Sequence, residues 1–216
     1  MTSAATPSSF SSPRLISPEA WKILIPLLLV SVVMYFLFWP TALVILVVSL
    51  CVGFIFREPY RRIGKAKGMV ISPVDGVVQA VQLERDDHFP RGQCRTIRLK
   101  VRLGMVASLR SPVQGRLVEM KRDRTAPSSS GFRRSDSLTL WIRTADGGQL
   151  VGLRMIPATR FSRVMCNVKI GDQFQQGQRI GSIPFGAHVI VLVNPDWRLK
   201  AEFGGRHTGG VSPLVP

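Results

Sequence analysis

A short phrase occurs twice in this chain, and each copy opens a segment in which apolar residues recur. It reads Ser-Pro-Val-Asp-Gly at residues 72–76 and Ser-Pro-Val-Gln-Gly at residues 111–115. A second phrase also recurs, because the glycine pairs 171/177 and 204/210 each have a spacing of six residues. Recurrence on this scale is typical of one small structural unit used twice. We therefore expect a fold with an internal pseudo-repeat.

The larger part of the chain has the pattern of β-strands. In residues 96–103 apolar side chains alternate with mostly cationic ones, which predicts a strand with one buried face and one basic face. Asp-Gly at 146–147 lies between two further strand-like segments, 137–143 and 149–156, and predicts a hairpin turn. No amphipathic helix is evident in this region. Residues 68–214 are therefore expected to form a mainly β domain, either barrel-like or a hybrid sandwich.

The N-terminal part contains a long apolar segment. No charged residue occurs from residue 23 to residue 56, and Pro40 divides this segment into two halves of similar length. A proline disfavours helical geometry in the residue before it, which suits a turn. We expect a membrane hairpin over residues 21–56, formed by transmembrane helices at 22–38 and 41–56.

The sequence on either side of the apolar segment predicts its orientation. Residues 57–67 contain five Arg or Lys residues and are expected to be a basic juxtamembrane linker. Because positive flanks stay in the cytoplasm, we expect the β domain on the cytoplasmic face of the plasma (inner) membrane. The apolar run is too long and begins too late for a cleaved signal peptide. Residues 1–20, rich in Ser, Pro and Thr, are expected to be a disordered tail.

The net charge favours an anionic partner. Lys and Arg number 29 against 13 Asp and Glu, a formal net charge of +16, which suits an acidic membrane surface or nucleic acid. The most basic stretch contains Lys121, Arg122, Arg124, Arg133 and Arg134. It is either a solvated loop or a lip that binds anionic lipid headgroups, where each basic residue contributes about 1 kcal/mol. No aromatic-rich strand accompanies it, so we do not expect nucleic acid as a partner.

Cysteine and histidine usage indicates neither a disulfide framework nor a metal site. The three cysteines are few and scattered, which favours a reducing compartment. The three histidines also lie far apart, without the ligand spacing of a zinc or iron site. We therefore expect no metal.

Several motifs occur in the order of a known family. They are Phe-Arg-Glu-Pro-Tyr-Arg-Arg at 56–62, the two Ser-Pro-Val phrases, and a glycine-containing stretch at 168–181 that leads to Phe-Gly at 185–186. Together with the apolar hairpin, they resemble the phosphatidylserine decarboxylase family in its short bacterial form. The resemblance runs from about residue 20 to residue 214, and the order and spacing of the motifs carry it.

The resemblance implies a self-processing enzyme. Members of the family cut themselves at a Gly-Ser bond, and the serine becomes a pyruvoyl group. That carbonyl forms a Schiff base with phosphatidylserine and accepts electrons while carbon dioxide leaves, which gives phosphatidylethanolamine. An aspartate in the first Ser-Pro phrase assists the cut, and a histidine shortly before the second phrase assists the decarboxylation.

Only part of this machinery is retained here. Asp75 matches the family aspartate and Gly186 the glycine of the junction, whereas Ala187 replaces the serine and Ala107 replaces the histidine. Alanine has no hydroxyl from which a pyruvoyl group could be built. We therefore expect a degenerate member with no intact catalytic set and no cofactor.

Other family positions are retained. Arg163 and Cys166 match residues of the short-form pattern, and Arg110 matches the arginine before the second proline phrase. The residues expected to bind lipid are Arg110, Arg122, Arg124, Arg133 and Arg134.

Three functions are compatible with these observations. We favour a membrane-anchored pseudoenzyme of phospholipid metabolism that binds phospholipid or a partner such as an active homologue. The first alternative is an active decarboxylase with a non-standard pyruvoyl site, for which Gly181-Ser182 is the nearest Gly-Ser bond. The second alternative is a lipoyl- or biotinyl-like carrier or membrane-fusion domain, although no lysine lies at a suitable hairpin tip.

Overall fold

The computed structural model describes residues 18–55, 57, 68–89, 92–102, 105–106, 108–125, 135–159 and 162–215. The sequence prediction of a disordered tail over 1–20 falls outside these residues except for its last three, which are helical. The predicted linker 57–67 lies outside them except for Arg57.

Two α-helices form the N-terminal part. Helix α1 spans Pro18–Leu37 and helix α2 spans Trp39–Ile55. Pro40 occupies the first turn of α2, where a proline fits because its missing N–H has no intrahelical acceptor. The helices pack against each other, and the Ser31 hydroxyl of α1 donates a hydrogen bond to the Ala42 carbonyl of α2 (3.1 Å).

The two helices lie in the region of the expected membrane hairpin, but a hairpin that spans the membrane is not supported. Among the described residues, neither helix combines the length and apolar character needed to cross a membrane. Helix α2 has 17 residues, about 26 Å at helical rise, against a hydrocarbon core of about 30 Å. Helix α1 begins earlier than expected and includes Glu19 and Lys22.

The rest of the described chain is mainly β, as expected. The strands are β1 (Val70–Ile71), β2 (Gly76–Arg85), β3 (Gln93–Val101), β4 (Ser108–Arg110), β5 (Gly115–Thr125), β6 (Ser135–Thr144), β7 (Leu150–Pro157), β8 (Met165–Cys166), β9 (Gln173–Phe174), β10 (Arg179–Ser182), β11 (Ala187–Val193), β12 (Arg206–His207) and β13 (Pro213–Val215).

Eight of these strands form one antiparallel sheet that curls into a half-barrel. Its order is β12-β2-β3-β11-β7-β6-β5-β9. Strands β4, β10 and β8 form a second sheet, and β1 pairs with β13. Strand β11 is central because it pairs with β3 on one side and β7 on the other. The prediction of a mainly β, barrel-like domain is confirmed at this level.

The main hydrophobic core lies on one face of the large sheet. In β11 the core side chains are Val189, Val191 and Val193, each fully buried. Complete burial of a valine contributes up to about 1.5–3 kcal/mol. The opposite face carries a smaller cluster in which Trp141 packs with Ile190 and Leu192. This alternation is the period-two pattern that the sequence predicts.

The predicted hairpin is also present. Strands β6 and β7 are joined by a turn over residues 145–147, and the Thr144 N–H donates to the Gln149 carbonyl (2.8 Å). Gly147 and Gly148 have φ of 102° and 67°. These values lie in the left-handed region, which explains why Asp-Gly followed by Gly is suited to this turn.

The two Ser-Pro-Val phrases bind each other through the backbone. The Ile71 N–H donates to the Pro112 carbonyl (3.0 Å), and the Arg110 N–H donates to the Pro73 carbonyl (2.8 Å). Each residue that immediately precedes a Ser-Pro pair thus donates to the proline of the other phrase. The exchange is reciprocal, so the two copies are related by a local pseudo-twofold axis.

The same repetition holds within each phrase. The Ser72 hydroxyl donates to the Val74 carbonyl and the Ser111 hydroxyl to the Val113 carbonyl, both at 2.8 Å. Both serines are fully buried, so these bonds satisfy hydroxyls that have no access to solvent. In each copy the serine carbonyl also accepts a hydrogen bond, and its donor is a glycine of the second kind of repeated phrase.

Those glycines connect the two kinds of phrase. The Gly210 N–H donates to the Ser72 carbonyl (2.7 Å), and the Gly177 N–H donates to the Ser111 carbonyl (2.9 Å). Their φ values are 80° and 75°, a backbone region that costs a residue with a Cβ about 1–2 kcal/mol. The spacing seen in the sequence therefore reflects one turn built twice.

Replacing Gly177 with alanine tests this interpretation. Gly177→Ala is expected to lower the free energy of unfolding by about 1–2 kcal/mol, because alanine is strained at positive φ. Gly177→Asn is the matched control and should lose less, since asparagine tolerates this region better than alanine. Chemical denaturation of the three proteins measures the difference. Equal stability of the alanine variant and the native chain would contradict a requirement for positive φ.

Candidate functional site

The family positions 75, 186 and 187 lie at one end of the curled sheet. Strand register aligns Val77 of β2 with Lys100 of β3, and Lys100 with His188 of β11. Asp75 therefore precedes β2 at the same end at which Ala187 begins β11. Two strand spacings separate β2 from β11, about 10 Å. The structure brings these three positions to a common region.

Asp75 is held by a distant part of the chain. Its Oδ1 atom accepts a hydrogen bond from the Gly209 N–H at 2.7 Å. A Cβ on Gly209 would lie 2.8 Å from the Val74 backbone carbon, so only glycine permits this approach. The carboxylate thus fixes the C-terminal glycine phrase against the first Ser-Pro-Val phrase.

The junction residues form a strained turn into β11. Phe185 has φ of 66°, a conformation that costs a bulky residue about 1–3 kcal/mol and persists only where its surroundings hold it. Gly186 and Ala187 follow, and Ala187 is fully buried in the main core. Ala187 pairs with Val101 and with Pro157. The alanine side chain therefore faces the interior of the half-barrel.

The carbonyl oxygen of Gly186 accepts two hydrogen bonds. The Ser162 hydroxyl donates to it at 2.7 Å, and the Ala158 N–H donates at 3.3 Å. Ser162 is 5 % exposed. Sequence reasoning missed both donors, because they lie 24 and 28 residues from Gly186 and belong to no recognisable motif.

The position that corresponds to the family histidine, Ala107, lies outside the described residues. Its neighbours Val106 and Ser108 are both buried. Ser108 begins β4 and pairs with Ser182 of β10.

Ser182, the nearest alternative serine, lies inside a sheet. It pairs with Ser108 on one side and Met165 on the other, and it is 1 % exposed. The Gly181 backbone is also enclosed, because an added Cβ there would collide with the Met165 carbonyl oxygen. A cut between 181 and 182 would break the middle strand of a three-stranded sheet.

The structure describes the side chains of two of the five arginines expected to bind lipid. Arg110 is partly buried, and its Nη1 donates to the Gly177 carbonyl (3.0 Å), so it connects the repeated phrases. Arg122 is exposed on β5. The backbone of Arg124 belongs to β5, whereas Arg133 and Arg134 lie outside the described residues.

Cys166 and His188 are both partly buried. Burial raises the pKa of the Cys166 thiol to about 11, although Arg122 opposes the shift, and the thiol contacts the Ile180 carbonyl (3.2 Å). Burial, with Lys100 and Arg98 nearby, lowers the pKa of His188. The His188 side chain lies on the sheet face opposite to Ala187, since side chains alternate along β11. Arg163 is exposed.

An open cleft of about 530 Å³ lies beside the second repeat. Arg116 of β5 and Arg143 of β6 both line it, and the two residues are register partners on neighbouring strands. Like charges in this position repel, and an anion between them would relieve the repulsion. The Arg116 Nε also donates to the Gly171 carbonyl (3.2 Å), while Ile170 adds an exposed apolar side chain. Sequence reasoning missed this cleft because its residues come from separate strands.

No group of three His, Cys, Asp or Glu residues with the geometry to hold a metal ion occurs among the residues that the structure describes. The cluster nearest to such a set centres on His88, which contacts the carboxylates of Asp86 (2.8 Å) and Glu119 (3.3 Å). Its ring stacks on Trp141 at 4.2 Å between centroids. This cluster lies on the sheet face opposite to the main core and away from residue 187.

Comparison with known proteins agrees with this geometry. A family model described as phosphatidylserine decarboxylase matches residues 48–211, most of the chain. The chain belongs to the phosphatidylserine decarboxylase family. No solved structure matches it.

Curated members of the phosphatidylserine decarboxylase family match over nearly their whole length. The proteins are named phosphatidylserine decarboxylase proenzyme. The one from Nitrosomonas eutropha is 29% identical, with 92% of this chain and 94% of the relative covered. Those from Cupriavidus metallidurans and Geotalea uraniireducens are 28% and 30% identical, with 93% and 86% of this chain and 94% and 88% of the relatives covered.

Thiol modification tests the environments of the cysteines. Burial, with Asp86 and Glu84 nearby, raises the pKa of Cys94 to about 11, close to that of Cys166. At pH 8 each thiol is then ionised in about one molecule in a thousand, so both should resist N-ethylmaleimide. Mass spectrometry of the folded protein should find Cys94 and Cys166 unmodified, and unfolding in urea should make both thiols reactive. Fast modification of Cys166 in the folded chain would contradict this.

Proposed function

We propose that this protein is a membrane-associated, non-cleaving member of the phosphatidylserine decarboxylase family that binds anionic phospholipid. The observation that carries the proposal is Ala187, a buried alanine that directly follows the strained Phe185-Gly186 turn. The turn positions residue 187 at the start of the central strand, and that residue has no reactive atom.

The chemistry of alanine supports the absence of self-cleavage. A serine at the junction provides the oxygen that attacks the preceding carbonyl, and its own atoms become the pyruvoyl group. Alanine supplies neither the nucleophile nor the oxygen that must leave. No repacking around Ala187 restores that path. Without the pyruvoyl group the protein has no electron sink for decarboxylation.

The helical pair supports association with lipid. Large apolar side chains on both helices are exposed, among them Phe36 at 81%, Trp39 at 68% and Leu50 at 67%. Exposed apolar surface of this kind requires a covering partner. We infer that the partner is the bilayer, which the two helices enter from the cytoplasmic face of the inner membrane. Arg57, which stacks on Phe54 at 4.3 Å, would lie at the lipid phosphates.

The cleft between Arg116 and Arg143 is the proposed site for the lipid headgroup. It combines two facing cations with the exposed apolar side chain of Ile170. Its volume of about 530 Å³ suits a headgroup rather than acyl chains. A bound active homologue remains compatible with this arrangement, as a partner at the same membrane.

The cleavage state of the purified protein tests the first half of the proposal. We expect one intact chain of 23.9 kDa on a denaturing gel, before and after incubation with phosphatidylserine vesicles. Mass spectrometry should find no blocked internal N-terminus. Fragments that part after residue 186 or 181, or any keto-acid cap, would show that the chain is a working decarboxylase.

Vesicle binding tests the second half. The protein should bind phosphatidylcholine vesicles through its helices and bind vesicles containing phosphatidylserine more tightly. Replacing Arg116 and Arg143 with glutamine should weaken that preference about 30-fold, because each arginine contributes about 1 kcal/mol at an anionic surface. Replacing Arg85 and Arg206, which are also exposed, removes equal charge and is the control. An equal loss in both double variants would exclude the cleft as a specific site.

A further inference from the structure

The Gly186 carbonyl has an environment that its role in a turn does not require. Its oxygen accepts the Ser162 hydroxyl at 2.7 Å and the Ala158 N–H at 3.3 Å. The hydroxyl bond is fully buried, so water does not compete for it. Two donors that converge on one buried carbonyl oxygen form the arrangement that stabilises negative charge on that oxygen.

This carbonyl is the atom group at which family members cut themselves. The inference therefore rests on the proposed function, in which Ala187 is what blocks the cut. We propose that Ser162 and Ala158 form an oxyanion site for the Gly186 carbonyl, and that the chain retains this half of the self-cleavage apparatus. The missing part is the nucleophile at 187.

The neighbouring contacts hold the two donors in place. The Ser162 N–H donates to the Thr159 hydroxyl oxygen (3.1 Å) and carbonyl (3.2 Å). The Thr159 hydroxyl in turn donates to the Phe185 carbonyl (3.3 Å). Thr159 and Ser162, which follow β7, thus donate hydrogen bonds to two successive carbonyls of the junction, those of Phe185 and Gly186. These hydrogen bonds also account for the persistence of positive φ at Phe185, which needs support from its surroundings.

The reaction of a chain with serine at 187 shows what the site would stabilise. The serine Oγ attacks the Gly186 carbonyl carbon, and its proton passes to a base. The former carbonyl oxygen becomes an anion, which Ser162 and Ala158 stabilise. The C–N bond then breaks, the nitrogen takes a proton, and an ester links Gly186 to the side chain of residue 187.

The ester breaks by elimination. A base removes the Cα proton of residue 187, and the Gly186 carboxylate leaves, so the first fragment ends at 186. The dehydroalanine that remains tautomerises to an imine, which takes up one water and loses ammonia to give the pyruvoyl group. The role proposed for Ser162 concerns the first step, in which negative charge develops on the former carbonyl oxygen.

The experiment restores the missing half and then removes the donor. Ala187→Ser with Ala107→His should cut slowly and partially, which gives fragments 1–186 and 187–216. Adding Ser162→Ala should slow the cut about 100- to 1000-fold, as expected for the loss of one oxyanion donor. Ser162→Thr should restore most of the rate. Ser162→Cys keeps the volume but donates weakly, so it should also be slow and serves if the alanine variant does not fold.

Two measurements separate this role from a merely structural one. Hydroxylamine cleaves the ester directly, so its yield reports the first step alone and should fall with Ser162→Ala. The control is Ser137→Ala in the same background, because Ser137 is also buried and donates to a backbone carbonyl, that of Asp123 (3.2 Å). It should leave the cutting rate unchanged even if the melting temperature falls as much.

The outcomes are distinct. Equal cutting with and without the Ser162 hydroxyl would overturn the inference, as would a folded double variant that yields neither fragments nor hydroxylamine-sensitive ester. Cutting of the native chain would overturn the proposed function instead. In that case Ser162→Ala in the native background would still test the donor.

Discussion

The reciprocal backbone hydrogen bonds between the two Ser-Pro-Val phrases are the contact on which the β domain depends. They join β1 to the second phrase and β4 to the first, so neither copy can form its turn independently. Proline fixes φ in each phrase and leaves its carbonyl free as an acceptor. The glycines at 177 and 210 then close each copy by donating to its serine carbonyl. Strands β2 and β5 begin at these phrases, and each pairs with an edge strand of the half-barrel, β12 or β9.

The Phe185-Gly186-Ala187 junction is located where the two halves of the large sheet meet. The central strand β11 lies between β3, from the first half, and β7, from the second. Its first residue is therefore held from both sides, and the turn before it has no freedom to relax. The loop after β7 reaches the Gly186 carbonyl for the same reason. Strain at Phe185 and the two donors at Gly186 are consequences of one position in the fold.

Local features were predictable from the sequence, and contacts between distant residues were not. The repeated phrases, the Asp146-Gly147 turn and the alternation in β3 depend on neighbouring residues, so their patterns are visible. Asp75 was identified, but its partner Gly209 lies 134 residues away. Ser162 belongs to no recognisable sequence motif, because its acceptor, the Gly186 carbonyl, lies 24 residues away in the chain. The transmembrane expectation is not supported for a different reason: an apolar half-segment can form a helix, and among the described residues neither helix is both long and apolar enough to cross a membrane.

An uncut junction has a consequence for the assembly of the domain. If the bond after Gly186 were broken, β11 and β13 would belong to a separate peptide and would have to return as a second molecule after each unfolding event. Their stability would then depend on concentration. The continuous backbone instead keeps the central strand tethered at an effective concentration in about the millimolar range. In the proposed uncut form, the chain would therefore unfold and refold as a single molecule, without losing a subunit.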